Sequence, residues 1–297
     1  MRVLILGGTA EARQLAGLLA TRAEFSTILS LAGRTAAPAA QPVPVRTGGF
    51  GGAAGLAGYL AAERVDVLID ATHPYAATIS ANAARAAACA RRPLLALRRP
   101  PWTAVAGDRW TEVGDSAEAV RTLGEAPRAV FLALGRQEIA PFAAAPQHRY
   151  LVRSVDPVEP PLAVPHAIYI TARGPFAEAD ERALLARHGI DAIVAKNSGG
   201  EASYGKIAAA RALGVPVVML RRPRSADDGG RMTDVADPAS GNPPLSPITV
   251  ATVAEAVSWL DHALASRRGA SAASLCGVER CADCGSLRER DCVIGRV

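Results

Sequence analysis

Short apolar runs, each closed by a glycine-bearing polar turn and followed by an alanine-rich stretch, recur along this chain. Val3 to Leu6 is the first run, continuous rather than alternating, as in a strand covered on both faces. Gly7 and Gly8 then allow a tight turn, Thr9 is placed to cap a helix, and Ala10 to Ala20 is rich in helix formers. The alternation continues with strands expected at Ser26–Leu31, Pro42–Val45, Val65–Ile69 and Pro93–Leu97, and helices at Leu56–Glu63 and Ala76–Ala90. Strands and helices in this order predict an α/β unit with a parallel, doubly wound sheet. Ligands of such sheets lie beyond the carboxyl ends of the strands, so the loops starting at Gly7, Arg34, Gly48 and Thr72 should share one rim.

Arg98-Arg99-Pro100-Pro101-Trp102 interrupts the pattern, because consecutive prolines forbid helix and strand pairing. A second series follows, with strands expected at Ala129–Leu134, His148–Val152, Ala167–Thr171, Asp191–Ala195 and Val215–Leu220. Its helices are expected after Arg136 through Phe142, at Phe176–His188 and at Ala202–Leu213. Its strand ends carry Arg136, Arg173, Lys196 and Arg221. Residues 222–247 are rich in Gly, Pro, Ser and Asp and read as a mobile loop, and Thr249–Leu264 reads as an amphipathic helix. The expected division is 1–100 for a nucleotide-binding unit, 101–265 for a second α/β unit and 266–297 for a flexible, cysteine-rich tail.

With 297 residues, 49% of them hydrophobic and 21% charged, the chain can bury the cores of two domains. The apolar run at the start is too short for a signal peptide and Glu11 follows at once, and no stretch is long and apolar enough to span a membrane. A cytoplasmic protein is expected. The net charge of +5 suggests an anionic partner, but the arginines are scattered and aromatics are only 4%, which suits a small polyanion better than nucleic acid. Of the 33 basic residues, only Lys196 and Lys206 are lysines.

The first turn carries chemistry of its own. A strand, a glycine turn and a helix N-terminus aim backbone N–H groups and a positive dipole end at one point, which suits phosphate. The full G-x-G-x-x-G fingerprint is absent. Where a dinucleotide fold holds ribose hydroxyls with a carboxylate, this chain has Arg34, which favours NADP over NAD; the alternative is a surface arginine in an arginine-rich chain. Asp70 is expected to cap the helix behind it, and Cys89 to be a small buried hydrophobe. Cys276, Cys281, Cys284 and Cys292 have a spacing that echoes metal-binding loops, but few apolar residues surround them. No metal is expected first, zinc second and an iron–sulfur cluster third.

Gly7-Gly8-Thr9-Ala10-Glu11, Asp70-Ala71-Thr72-His73-Pro74-Tyr75, Leu134-Gly135-Arg136 and Ala195-Lys196-Asn197-Ser198-Gly199-Gly200 together resemble the precorrin-6A reductases of cobalamin biosynthesis. The similarity runs in order from Arg2 to Leu264, and no single motif is unique. The resemblance implies two Rossmann-like domains with the active site in the cleft between them. It implies NADPH-dependent reduction of one carbon–carbon double bond of a corrin-ring precursor, with a polycarboxylate tetrapyrrole as substrate and transient contact with neighbouring pathway enzymes.

On that basis Gly7, Gly8, Thr9, Arg34, Thr72 and His73 are the candidate cofactor-binding residues, and Arg136, Arg173, Lys196, Asn197 and Ser198 the candidate substrate-binding residues. Lys196 is also the candidate catalytic residue, pairing a substrate carboxylate or giving electrostatic help, with a structural lysine at a helix start as the alternative. His73 would contact cofactor or relay a proton. The rival readings are a cobalt-precorrin-6A reductase, a short-chain-dehydrogenase-like enzyme and a non-enzymatic NADP-sensing module. The second lacks its Tyr-x-x-x-Lys pair, since Tyr204 stands two positions before Lys206.

Overall fold

A computed structural model describes residues 1–33, 39–223 and 247–275. In chain order, the first part runs β1 (Arg2–Leu6), α1 (Ala10–Ala20), β2 (Ser26–Leu31), β3 (Val45–Thr47), α2 (Gly52–Ala62), β4 (Val67–Asp70), α3 (Ala77–Cys89) and β5 (Leu94–Leu97). Then come β6 (Trp110–Val113), α4 (Ser116–Leu123), β7 (Ala129–Ala133), β8 (Arg149–Ser154), β9 (Ala167–Thr171), α5 (Glu178–Arg187), β10 (Ala192–Lys196), α6 (Gly205–Leu213) and β11 (Val217–Leu220). The last elements are β12 (Ile248–Val250) and α7 (Val253–Leu275).

The strands form two six-stranded sheets, ordered β12-β5-β4-β1-β2-β3 and β6-β11-β10-β7-β8-β9, and every pairing is parallel. Both have the doubly wound order, with the chain reversing direction across the sheet at β1/β4 and at β7/β10. The sixth place in each is filled from the other half of the chain. β6 follows the first series yet pairs with β11, and β12 follows the second yet pairs with β5, Ile248 opposite Leu95.

This pairing corrects the expected 101–265 unit. Val253, Ala256 and Leu260 of α7 are buried with Val3, Ile5, Leu15 and Leu19, so 248–264 packs with the first sheet. The physical reason is the apolar stripe on α7, which covers the face of the sheet beside α1. The opposite face is covered by α2 and α3, through Leu56, Leu60, Ala83 and Ala86. α7 also runs ten residues beyond Ala265, into the expected tail, because no proline stops the Ala- and Ser-rich run. Arg267 on it pairs with Asp66 at 2.6 Å.

Other expectations shift. β3 lies at 45–47 rather than 42–45, since Pro42 and Pro44 cannot donate to the ladder. Cys89 is exposed, because the buried stripe of α3 is Ala83, Ala86 and Ala87, and Cys89 falls beside it. Residues 224–246, most of the expected loop, lie outside the described residues.

Candidate active site

The first rim is built from backbone. Gly7 N–H donates to the Ser30 carbonyl at 2.9 Å, and a Cβ on Gly7 would stand 2.6 Å from Leu29 Cδ1. Gly8 has φ +114°, open to glycine but strained for other residues, and nothing lies within 4 Å of where its Cβ would be. Thr9 caps α1: its Oγ1 accepts from Ala12 N–H at 3.1 Å and donates to the Ala71 carbonyl at 2.8 Å. The cap thus ties the start of α1 to the end of β4.

Asp70, at that end, is buried and does not cap α3, which begins after Ala76 without a side-chain cap. Instead its Oδ1 accepts from Thr72 N–H at 3.1 Å and Thr72 Oγ1 at 2.7 Å, and its Oδ2 pairs with Arg98. Arg98 also donates to the Asp70 carbonyl and to Ser80 Oγ, both at 2.9 Å. Burial would raise the Asp70 carboxyl, but Arg98, with Thr72 and Ser80, outweighs it and holds the group below the usual carboxylate range. Asp70 does not serve the helix because Arg98, one residue past the neighbouring strand β5, is within reach of the carboxylate and pairs with it.

The loop 72–75 turns toward the second sheet. Burial, then the charges of Arg99, Lys196, Arg222 and Lys206, push His73 down to about 3, so its ring is neutral at physiological pH. Its Nδ1 accepts from Tyr75 N–H at 3.3 Å, which leaves the hydrogen on Nε2. The Tyr75 hydroxyl donates to the Leu220 carbonyl at 2.5 Å and accepts from Asn197 N–H at 2.8 Å, joining the rims of the two sheets. Burial pushes this phenol up to about 12.

The second rim is built from long side chains. Lys196 Nζ lies 2.5 Å from Glu138 Oε1 and 5.0 Å from the centre of the Tyr75 ring. Asn197 is buried, and its amide brackets the Trp102 backbone, accepting from its N–H at 2.8 Å and donating to its carbonyl at 2.9 Å. The Ser198 carbonyl accepts from Arg99 Nε at 2.7 Å and Arg222 Nη2 at 2.9 Å. Arg99 also reaches Glu11 in the first turn of α1, at 2.6 Å, so one side chain spans the helix start after the glycine turn and the lysine loop. Arg136 follows β7, the neighbour of β10; Arg173 follows the far edge strand β9, in a loop where a Cβ on Gly174 would stand 3.0 Å from the Ala202 carbonyl.

Two hollows open along this seam. A crevice of about 10 Å³ at the N-terminus of α1 is lined by Thr9, Glu11, Thr72, Pro74, Leu97 and Arg99, with room for one water. A cavity of about 680 Å³ beside it includes Arg98, Trp102, Trp110, Asn197 and Arg221 in its walls. Pro74 lines both.

Sequence reasoning placed Gly7, Gly8, Thr9, Thr72, His73 and the 196–198 loop, and the structure brings these together. It missed Glu11, Tyr75, Arg99, Glu138 and Arg222 as contributors. The local pattern around them gives no hint of their partners, which lie far off in the chain. Arg34 and the four C-terminal cysteines lie outside the described residues. Among the described residues no cluster of His, Cys, Asp and Glu is placed to hold a metal, and no helix is long and apolar enough to cross a membrane.

Fold and site define a class: a Rossmann-like α/β protein with two parallel sheets, a glycine turn at a helix start on one rim and a lysine loop on the other. A model of the family described as "Precorrin-6x reductase CbiJ/CobK" matches residues 2–260. The chain belongs to this family. A precorrin-6A reductase of Sinorhizobium sp is 59% identical over 226 residues, covering 76% of this chain and 87% of the relative. A cobalt-precorrin-6A reductase of Priestia megaterium is 28% identical over 233 residues, covering 75% and 91%. A solved structure titled "CobK precorrin-6A reductase" superposes with a TM-score of 0.78 at 48% identity, covering 88% of this chain and 96% of that one.

Proposed function

We propose that this protein reduces precorrin-6A to precorrin-6B with NADPH, in the cleft where the rims of its two sheets meet. The observation that carries the reading is the Tyr75 hydroxyl, hydrogen-bonded to both Asn197 and Leu220, which holds the cofactor-side loop against the lysine loop. The metal-free substrate is favoured over the cobalt form by identity, 59% against 28% for the two relatives.

The first rim fits a dinucleotide. The space over Gly8 is one that a Cβ would fill, and α1 begins there with its dipole end and N–H groups. Gly7, Gly8, Thr9, Thr72 and His73 would hold the cofactor, with Arg34 toward its 2′-phosphate. NADPH, when bound, supplies the hydride. A reduced double bond also needs a proton, and the neighbouring groups differ in what they offer. His73 is neutral, and the Tyr75 proton is committed to Leu220 at a pKa of about 12. Lys196, anchored by Glu138 and lying over the Tyr75 ring, serves as the cation that faces the macrocycle. Asn197 and Ser198 act through backbone and amide bonds that fix this loop against Trp102 and Arg99. Arg136 and Arg173 are assigned to substrate carboxylates, as a fork-shaped cation suits them. The exposed free thiol of Cys89 supports a reducing compartment, in line with the expected cytoplasmic location.

The test is Lys196→Ala. Turnover of the macrocycle should fall roughly a hundredfold or more while NADPH affinity stays within about twofold, since general acid or electrostatic help is worth that much. Normal turnover, or lost NADPH binding with intact substrate binding, would refute the assignment.

A further inference from the structure

We propose that Arg46, as a second cation in addition to Arg34, reads the 2′-phosphate from the carboxyl end of β3 and so helps this protein distinguish NADPH from NADH. The inference rests on the assignment of NADPH as hydride source. It extends that assignment to a residue and a surface outside the seam between the sheets.

Arg46 is the middle residue of β3 and pairs in register with Ser30 of β2; the next pair is Leu31 with Thr47, and Gly48 N–H donates to the Leu31 carbonyl at 2.9 Å. The ends of β2 and β3 are therefore stitched together where a doubly wound sheet receives the ribose end of a dinucleotide. Neither segment, 26–33 nor 45–52, contains a carboxylate that could hold free ribose hydroxyls.

The guanidinium is fixed. Nη1 donates to the Gly48 carbonyl at 2.5 Å and Nη2 to the Gly49 carbonyl at 2.7 Å, the latter at the surface. Its central carbon lies 3.7 Å from the centre of the Phe50 ring and 5.4 Å from that of Tyr59. Phe50 is itself held: it packs edge-on against Tyr59 with ring centres 5.1 Å apart, and a Cβ on Gly55 would stand 1.7 Å from the Phe50 carbonyl. Two of the five N–H groups serve the loop, and among the described residues the other three meet no hydrogen-bond acceptor. A cation already immobilised loses little side-chain freedom when an anion arrives.

Among the described residues, the floor beside it is bare. Ideal Cβ atoms at Gly48, Gly49, Gly51 and Gly52 would meet nothing within 4 Å. Positive φ accounts for three of these glycines, but Gly49 has no positive φ, so neither strain nor crowding by the described residues demands glycine there. Clearance for a ligand does. A side-chain-free surface next to a braced guanidinium has the shape and charge for a nucleoside carrying a phosphate on its ribose.

The experiment is the KM for NADPH and for NADH with wild type, Arg46→Ala, Arg46→Gln and Arg34→Ala. Arg46→Ala should raise the NADPH KM roughly tenfold to a hundredfold, the range for one charge-assisted contact, and leave the NADH KM within about twofold. Arg46→Gln, which can still donate to a loop carbonyl, should show the same NADPH-selective loss. An equal rise for both cofactors would mean that Arg46 only shapes the loop, and overturns the proposal. So does an unchanged NADPH-to-NADH ratio in both Arg46 variants while Arg34→Ala abolishes it. A wild type that shows no NADPH binding by fluorescence titration would remove the cofactor assignment itself, a result distinct from either.

Discussion

The two sheets share one strand order and each borrows its last strand from the other half of the chain, yet their rims are made of different material. The first rim offers a glycine turn, a helix start and the hydroxyls of Thr9 and Thr72. The second offers Lys196, with Glu138 beside it, and arginines on neighbouring loops. On the proposed function, the difference follows from what each rim must hold. A diphosphate is bound well by backbone N–H groups and a helix dipole, which need no side-chain ordering. Carboxylates spread around a large ring need separated cations on long stems. One fold thus makes two unlike sites by changing only what stands at the strand ends.

The largest effect should come from Arg98, which stands between the rims. It pairs with buried Asp70, and its N–H donates to Val250 of the borrowed strand at 2.8 Å. Arg98→Ala leaves a buried carboxylate without its cation and should cost about 3–5 kcal/mol in urea unfolding. The pH dependence is also defined. In the wild type the folded Asp70 is held low, so its stabilising contribution is present above the ordinary carboxylate range and is lost as pH falls through the folded value. In the variant burial opposes ionisation with only the Thr72 and Ser80 hydrogen bonds left against it. The gap between the two proteins should therefore widen as pH rises from about 3 to 6. A loss below about 1 kcal/mol, or a gap independent of pH, would mean that this pair matters little.

A smaller effect tests the backbone character of the first rim. Gly8→Ala meets no neighbour, so its cost is the φ of +114°, about 1–2 kcal/mol. The NADPH KM should rise about tenfold with kcat and the substrate KM nearly unchanged, the reverse of the pattern expected for Lys196→Ala. If Gly8→Ala impaired the macrocycle and spared NADPH, the division between rims would fail.

Most strands were legible because parallel strands covered on both faces read as continuous apolar runs, as Val67–Asp70 and Ala192–Lys196 do. The exchanged edge strands were not. Trp110–Val113 has two exposed central residues and no apolar run, and Ile248–Val250 is three residues long and merges into the pattern of α7. Their partners are far away in sequence, and local periodicity carries no trace of them. The site divides similarly. Gly7, Gly8 and Thr9 announce themselves by a local turn, and Lys196 by its rarity. Glu138, Tyr75 and Arg99 act through partners 58 to 122 residues away, so only the assembled loops show what they do.

The smallest effect concerns the other lysine. Lys206 lies in α6 below the second rim, 5% exposed, its Nζ donating to the Ser203 carbonyl at 2.6 Å and standing 5.1 Å from the centre of the Trp102 indole. Burial, then the charge of Arg153, lowers it to about 7, with Glu181 opposing. Unfolded, it would hold its proton to about 10.5. From pH 7 to 10.5 the unfolded chain therefore binds more protons, and this group makes stability rise with pH across that window. Below pH 7 both states are protonated and the cost of burying the charge is felt in full. Lys206→Met keeps the length and removes the charge, so it should stabilise by about 1 kcal/mol at pH 6, a gain that shrinks toward pH 10. Turnover should stay within about twofold, because Lys206 donates beneath Trp102 and not into the seam. A large loss of turnover with normal NADPH binding would place this second lysine beside Lys196 in the chemistry of the second rim, and the contrast between a cationic rim and its packed support would have to be redrawn.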